Sequence, residues 1–328
     1  MRLISIVTPC YNEELNVEEL AQRVRATMAA FPQHDYEHIF IDNASRDNTL
    51  GVLKGIAAVD PRVRIIVNAR NFGHLRSPMH AMLQSSGDAC VLLFSDLQDP
   101  PELIEKFIKE WENGFPIVLG IKNTSEENRL MYWVRTRYYR LLARFASIEI
   151  HQHFTGFGLF DRSVIEIVRS FGDRYPYFRG MIAEIGLPHV KVFYNQKARK
   201  RGFTKNNFYT LYDLAMLGLT NVSKVPLRLF TFFGFTCSAI SVLFAIGYLI
   251  YKILFWNKFE VGIAPVVIGL FFLGSVQLAS IGVLSEYIAA IHTQVLKRPL
   301  VIERERINFG TSAMKPESFS KAVGQFTP

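Results

Sequence analysis
The segment Phe94-Ser95-Asp96-Leu97-Gln98-Asp99-Pro100-Pro101-Glu102 carries the chemistry hardest to explain as scaffold. An apolar run, Ala89–Phe94, leads into Asp96, with Gln98 two residues on. A carboxylate and an amide at the tip of a buried strand present hard oxygen donors. Two or three such oxygens, completed by a diphosphate and water, suit Mg²⁺ or Mn²⁺. A purely structural Asp-x-x-Asp-Pro helix cap leaves Gln98 unexplained. Two more polar clusters sit where apolar runs end. In Thr8-Pro9-Cys10-Tyr11-Asn12-Glu13, Tyr11 can stack on a flat base and Glu13 can accept from a ribose or base donor. A turn with Asn12 as a helix cap explains the same residues equally well. In Ile41–Thr49, Asp42 at a strand end can accept from the imide edge of uracil, while Asp47 or Asn48 caps the helix behind it.

The elements that must position these groups alternate. Strands are expected at Leu3–Thr8, Glu37–Asp42, Val63–Asn68, Ala89–Phe94 and Ile117–Gly120. Helices are expected at Leu15–Met28, Thr49–Ala58 and from Pro100 to Asn113, the last opened by proline in its first turn. This alternation predicts an α/β domain with a mostly parallel sheet and helices on both faces, spanning about residues 1–208. Ligands in such sheets bind beyond the carboxyl ends of the strands, where the polar clusters fall.

Composition divides the chain. Of its 328 residues 49% are hydrophobic, and charge nearly vanishes from Leu229 to Ala290. Leu229–Phe255 and Ile263–Ala290 each exceed the roughly 20 residues that cross a bilayer core, joined by the short loop Trp256–Gly262. Ahead of them, residues 209–228 read as an amphipathic interfacial helix; behind them, residues 292–328 read as a tail. Lys224 and Arg228 precede the pair and Lys297, Arg298, Arg304 and Arg306 follow it, whereas the loop holds only Lys258. The positive-inside rule then puts the catalytic domain and both termini in the cytoplasm, at a multi-pass inner membrane site. Met1 leads straight into a strand, so no removable signal peptide is expected. The net charge of +8 comes without any nucleic-acid module, which favours a membrane surface over a duplex. Three scattered cysteines offer neither a disulfide framework nor a metal cluster. Small residues such as Gly274, Ser275, Gly282 and Ser285 would permit homo-oligomers.

Taken together, YNE, IDNASRDNT, RNFGH and SDLQDPPELI resemble family 2 glycosyltransferases with the GT-A nucleotide-sugar-binding fold, over about Met1–Val225. With the two apolar spans and LSEYIAAIHTQVLKRPL, the chain to about Arg306 resembles bactoprenol glucosyltransferases and dolichol-phosphate mannose synthases. The resemblance implies that Pro9, Tyr11, Glu13, Asp42 and Asn43 hold the nucleotide of a sugar donor, and that Asp96 and Gln98 bind the metal. Lys122 stands where relatives carry an arginine near the donor. Arg199-Lys200-Arg201-Gly202-Phe203-Thr204-Lys205 matches the family's Arg-x-x-Gly-x-Ser/Thr-Lys segment, whose cations would hold phosphates. Arg199 and Lys205 are its phosphate partners, and Arg201 fits simple attraction to the membrane surface better.

Three departures stand out. Phe94 replaces the first aspartate of Asp-x-Asp, Asn43 replaces a common aspartate, and Thr155-Gly156-Phe157-Gly158 stands where many relatives read Gly-Asp-Phe-Arg. The aspartate proposed as base is therefore missing. A phosphate monoester, with a second pKa of about 6, is already largely dianionic at neutral pH and needs positioning rather than deprotonation. A polyprenyl phosphate acceptor therefore fits better than a sugar hydroxyl, with Asp99 or His153 as an assisting group. The expected reaction is inverting transfer of a hexose from a nucleotide sugar, UDP favoured on family grounds. A hydroxyl-directed membrane glycosyltransferase and a silent nucleotide-binding scaffold are the alternatives.

Overall fold
A computed structural model describes residues 1–123, 153–196, 216, 225–255 and 263–310. They fall into two compact units, one holding 1–123, 153–196 and 298–310, the other 216, 225–255 and 263–297.

The first unit is built on an eight-stranded sheet. In chain order its strands are β1 (Arg2–Cys10), β2 (His34–Asp42), β3 (Val63–Asn68), β4 (Ala89–Leu92), β5 (Ile117–Lys122), β6 (Phe154–Asp161), β7 (His189–Tyr194) and β8 (Glu303–Ile307). Their order across the sheet is β7-β5-β6-β4-β1-β2-β3-β8. The β1–β2, β1–β4, β2–β3 and β5–β7 pairs are parallel; β6 and β8 pair antiparallel with their neighbours. The central strands read as continuous apolar runs because both faces are covered. Helices α1 (Val17–Met28), α2 (Thr49–Val59) and α4 (Leu103–Glu112) bury Leu20, Val24, Leu53, Phe107 and Ile108 on one face. Helices α3 (Gly73–Gln84), α5 (Arg162–Phe171) and α6 (Phe178–Ile185) bury Met79, Met82, Ile165 and Met181 on the other. The strands expected between residues 3 and 120 and the helices expected between 15 and 113 are present, with ends shifted by a few residues; the basic, aromatic helix expected between Ser125 and Ile148 lies outside the described residues.

Strand β8 was not expected: residues 292–328 had read as a tail. It pairs with the edge strand β3, Ile65 opposite Ile307 and Val67 opposite Glu305. Leu300 and Val301, just before it, are buried with Ile66, Phe72 and Met79. Lys54 meets Glu305 at 2.9 Å, and the Asn308 side chain donates to the Ala57 and Val63 carbonyls at 2.8 and 2.9 Å. Glu303 lies 2.5 Å from His80 Nε2 and accepts from Arg306 Nη2 at 2.6 Å. Burial alone would raise the Glu303 carboxyl, but the bonds from His80 and Arg306 and their charges outweigh it and hold it down to about 2. The stability Glu303 contributes is thus present above its ordinary value of 4.5 and is lost as pH falls through about 2. Glu303→Gln is expected to lower the melting temperature at neutral pH. Its difference from wild type should close on acidification, as followed by thermal unfolding across pH.

The second unit holds two long apolar helices, α7 (Val225–Leu254) and α8 (Ile263–Val295). Both are long and apolar enough to cross a membrane, and the apolar windows within them expose their side chains, Phe232, Phe235, Phe244, Leu270 and Leu278 among them. Val225–Arg228, expected to close an interfacial helix, instead forms the first turn of α7, and α8 continues five residues past Ala290. Most of that expected interfacial helix and the connecting loop, with Trp256 and Lys258, lie outside the described residues.

Candidate active site
The polar clusters converge at the carboxyl ends of β1, β2 and β4, adjacent strands of the sheet. The loops after β1 and β2 are zipped together. Asn12, in the left-handed region at φ 55°, donates from its backbone to Ser45 Oγ at 3.0 Å and accepts from the Arg46 amide at 2.8 Å. The Glu13 amide donates to Thr49 Oγ1 at 2.8 Å, and Glu14 accepts from the Asn48 amide at 2.7 Å. Asp47 accepts from the Thr49 amide and hydroxyl at 3.1 and 2.5 Å, satisfying the first amide of α2 from one residue ahead of its N-cap, Asn48. This lacing fixes where Tyr11, Glu13 and Asp42 stand. Glu13 itself accepts from Asn16 Nδ2 at 2.6 Å.

Asp42 is 1% exposed and accepts from the Ser45 amide at 3.3 Å through both oxygens. Burial raises its carboxyl above the ordinary range, opposed by the Ser45 hydrogen bonds and by the charge of Arg304 on β8. Cys10, at the end of β1, reports the local field. Burial first, then Asp42, Glu13 and Asp47, push its thiol well above the usual value. A pocket with this concentration of carboxylates favours ligands that bring donors: an imide N–H, ribose hydroxyls or a cation.

Asn43 behaves differently. It is 6% exposed, and its Oδ1 accepts from Asn68 Nδ2 at 3.0 Å and from the Phe72 amide at 2.9 Å. Its Nδ2 donates to Asn71 Oδ1 at 3.1 Å and to the Gly73 carbonyl at 3.2 Å. All four hydrogen-bonding positions of the amide are thus used inside the fold, leaving the side chain none for a nucleotide. Its role is to pin the Arg70-Asn71-Phe72-Gly73 loop against the end of β2. An aspartate here would confront two acceptors, which explains why this chain departs from the common residue. Asn43→Leu is expected to cost about 2–4 kcal/mol, since it orphans several buried groups at once. Chemical denaturation of the purified chain measures it.

Beyond β4, the Leu93 amide donates to the Val7 carbonyl at 2.9 Å, and Ser95 Oγ to the Pro9 carbonyl at 2.9 Å. These bonds bring the Asp96 loop beside the carboxyl end of β1. Leu97 takes a left-handed turn at φ 57°, and the Gln98 amide donates to Asp96 Oδ1 at 3.2 Å. Asp96 and Gln98 are both half-buried. Asp99 is only 2% exposed; it accepts from the Tyr194 hydroxyl at 2.5 Å and from Gln196 Nε2 at 3.4 Å. Burial raises the Asp99 carboxyl, opposed by the charge of Lys122 and the Tyr194 bond, with Asp96 adding to the rise. The geometry makes Asp99 a positioning residue that ties β7 to the site, not an exposed base. Tyr194 stands in register beside Lys122, and the charges of Lys122 and Asp96 both act on Asp99.

Among the described residues no three His, Cys, Asp or Glu side chains gather as a metal cluster. Asp96 with Gln98 still fits a hard cation whose other oxygens come from a diphosphate and water, the usual arrangement for Mg²⁺. The missing base has a structural cause. Gly156, at the position where relatives carry aspartate, sits at φ +113°, a conformation that residues with side chains rarely adopt. A Cβ on Gly158 would lie 2.4 Å from the Val118 carbonyl oxygen. Neither aspartate nor arginine fits this stretch of β6 as built. His153, the other assisting candidate, is half-buried at φ 61°; Arg199, Arg201 and Lys205 lie outside the described residues.

Sequence reasoning missed Tyr194, Gln196 and Arg304. Tyr194 and Arg304 lie on strands, and Gln196 just past one, whose own sequence carries no chemical motif, so only the folded sheet order reveals them.

Residues 5–168 match the profile of glycosyl transferase family 2. The uncharacterized glycosyltransferase YkcC of Bacillus subtilis is 33% identical over 300 residues, 91% of this chain and 92% of that protein. The chain belongs to glycosyl transferase family 2. A family 2 member of this kind transfers sugars, and its mixed, mostly parallel sheet is the GT-A arrangement. The bactoprenol glucosyl transferase of Shigella phage SfII is 32% identical over 91% of this chain and 96% of its own. Among solved structures, glucosyl-3-phosphoglycerate synthase from Mycobacterium tuberculosis, crystallised with Mn²⁺, UDP and phosphoglyceric acid, is similar at TM-score 0.46. It is 16% identical and covers 67% of this chain and 76% of that one.

Proposed function
We propose that this family 2 glycosyltransferase moves a hexose from a nucleotide-diphosphate sugar, UDP-linked by preference, to a polyprenyl phosphate at the cytoplasmic face of the membrane, with inversion. The observation that carries the reading is Gly156 on β6: its φ of +113° is one that a side-chain-bearing base rarely adopts, so the site suits an acceptor already charged. The phosphate monoester of a lipid is such an acceptor, with a second pKa of about 6. Similarity to bactoprenol glucosyl transferases over nine-tenths of the chain supports the same acceptor class. The two apolar helices supply the lipid's solvent. An even number of spans returns the chain to its starting side, in keeping with β8 completing the sheet that β1 begins.

In this mechanism Tyr11, Glu13 and Asp42 receive the base and ribose, with Pro9 at the end of β1 beside them. Asp96 and Gln98 would hold Mg²⁺ or Mn²⁺, which when bound supplies charge neutralisation on the departing diphosphate. Lys122 adds a fixed cation on the donor side. Arg199 and Lys205, with Arg201 contributing attraction to the membrane surface, would orient the lipid phosphate for in-line attack on the anomeric carbon. Positioning replaces proton abstraction throughout.

The test is an assay of the purified full chain with labelled nucleotide sugars, undecaprenyl phosphate and Mg²⁺ or Mn²⁺. Labelled lipid is expected. Label in a water-soluble polymer would establish a hydroxyl acceptor instead, and no transfer across the donor panel would favour a silent scaffold.

A further inference from the structure
Several arginines of the catalytic unit are neutralised locally. Arg23, Arg62, Arg64, Arg162, Arg169 and Arg306 each lie within ion-pair distance of a carboxylate. One corner differs. Arg70 follows β3, Arg76 lies in the first turns of α3, and Arg298 opens the segment that enters β8. Among the described residues none of these three has a carboxylate within 4 Å.

The three are nonetheless held together. The Arg70 and Arg76 guanidinium carbons lie 4.2 and 5.3 Å from the centroid of the same ring, Phe72, which is buried. Arg76 Nη2 donates to the Pro299 carbonyl at 2.6 Å, fixing the residue next to Arg298. Burial of Leu300 and Val301 anchors that segment from the other side. Burial and the like charges of Arg70 and Arg298 hold the Arg76 guanidinium below its ordinary value, with Tyr175 opposing. Arg76 Nε is buried without a partner. A fold that gathers like charges at a cost leaves them a role only an anion would fill.

Position in the chain identifies the anion. Arg298 is three residues beyond Val295, the end of α8, at most about 11 Å of extended chain. The headgroup layer is about 5–8 Å deep on each side of the hydrocarbon core. We infer that Arg70, Arg76 and Arg298 form a phosphate clamp that seats on anionic phospholipid headgroups where the chain leaves its second apolar helix. This rests on the reading of α7 and α8 as membrane spans. Nothing in it involves the donor site, and the clamp would hold the catalytic unit at the bilayer surface where a lipid acceptor is presented.

The test uses the full chain in neutral detergent, titrated with phosphatidylglycerol, phosphatidylcholine or inorganic phosphate, with bound ligand read by native mass spectrometry. R70Q/R298Q alters two exposed side chains and should fold normally. Each such charge contributes about fivefold, so the double variant is expected to bind phosphatidylglycerol roughly thirtyfold more weakly. R70K/R298K should retain most of the affinity, and R25Q/K109Q, equally exposed, should match wild type. Unchanged phosphatidylglycerol binding in R70Q/R298Q overturns the clamp, as does equal affinity for phosphatidylcholine. Inorganic phosphate competing at the same concentration as the lipid overturns the assignment to a membrane headgroup. Carbonate extraction of the membrane-bound chain separates the two readings. Release by carbonate would sink the spanning hairpin itself, whereas retention with unaltered lipid binding would sink only the clamp.

Discussion
Asp96→Ala is expected to abolish sugar transfer, at least about a thousandfold below wild type, with no fall in melting temperature. The size follows from what Asp96 would do. Departure of a nucleoside diphosphate concentrates charge on phosphate oxygens, and neutralising it is worth several kcal/mol, each 1.36 kcal/mol being tenfold in rate. The absence of a stability cost follows from position: Asp96 is half-buried on a loop beyond β4, outside the apolar layers of the sheet. Since Phe94 stands where relatives have another aspartate, no neighbouring carboxylate is placed to compensate. Asp99 cannot, being buried and bonded to Tyr194. Steady-state turnover at saturating donor, with and without a chelator, measures the effect. Near-normal turnover in the variant would remove Asp96 from the reaction.

Val301→Asp should be as severe for folding. Val301 is 5% exposed and packs among Ile66, Phe72 and Met79, with Leu300 beside it. A carboxylate there must be desolvated among apolar side chains or expel the segment. Either course costs several kcal/mol, a large part of the stability of an ordinary domain. Expulsion would also uncover the edge of β3 and break the Glu303 bonds to His80 and Arg306. Loss of soluble-in-detergent chain, or a melting temperature lowered by many degrees, is expected from intrinsic fluorescence. Val301→Ile, close in volume and apolar, is the control. A variant that melts with wild type would show that the segment does not hold the sheet together.

The centre of the fold was legible because its strands obey local rules. Apolar runs ending in polar turns identify β1, β2, β3 and β4 without any knowledge of their neighbours. Asp42 and Asp96 were legible for the same reason, each standing where such a run stops. What escaped notice depends on partners distant in sequence. The run Glu303-Arg304-Glu305-Arg306-Ile307 has no apolar alternation to mark a strand; it is held at the sheet edge by pairing with β3 and by charge partners such as Lys54 and His80. Asn43 shows the converse. Its type and place next to Asp42 suggested ligand binding, but its four bonds go to Asn68, Asn71, Phe72 and Gly73, residues whose approach only the tertiary structure creates. Gly156 lies between, since its sequence shows a missing aspartate and only its φ explains why one is not accommodated.

The late arrival of β8 has a consequence for biosynthesis. When a ribosome has made the first seven strands, β3 still presents an open row of amides and carbonyls, and its partner is not synthesised until after both apolar helices. An unpaired edge on a half-made chain invites pairing with other nascent chains. Synthesis of the two apolar helices and closure of the sheet are therefore coupled in time. A polypeptide stalled before Glu303 should remain a client of chaperones, however well its donor site has formed.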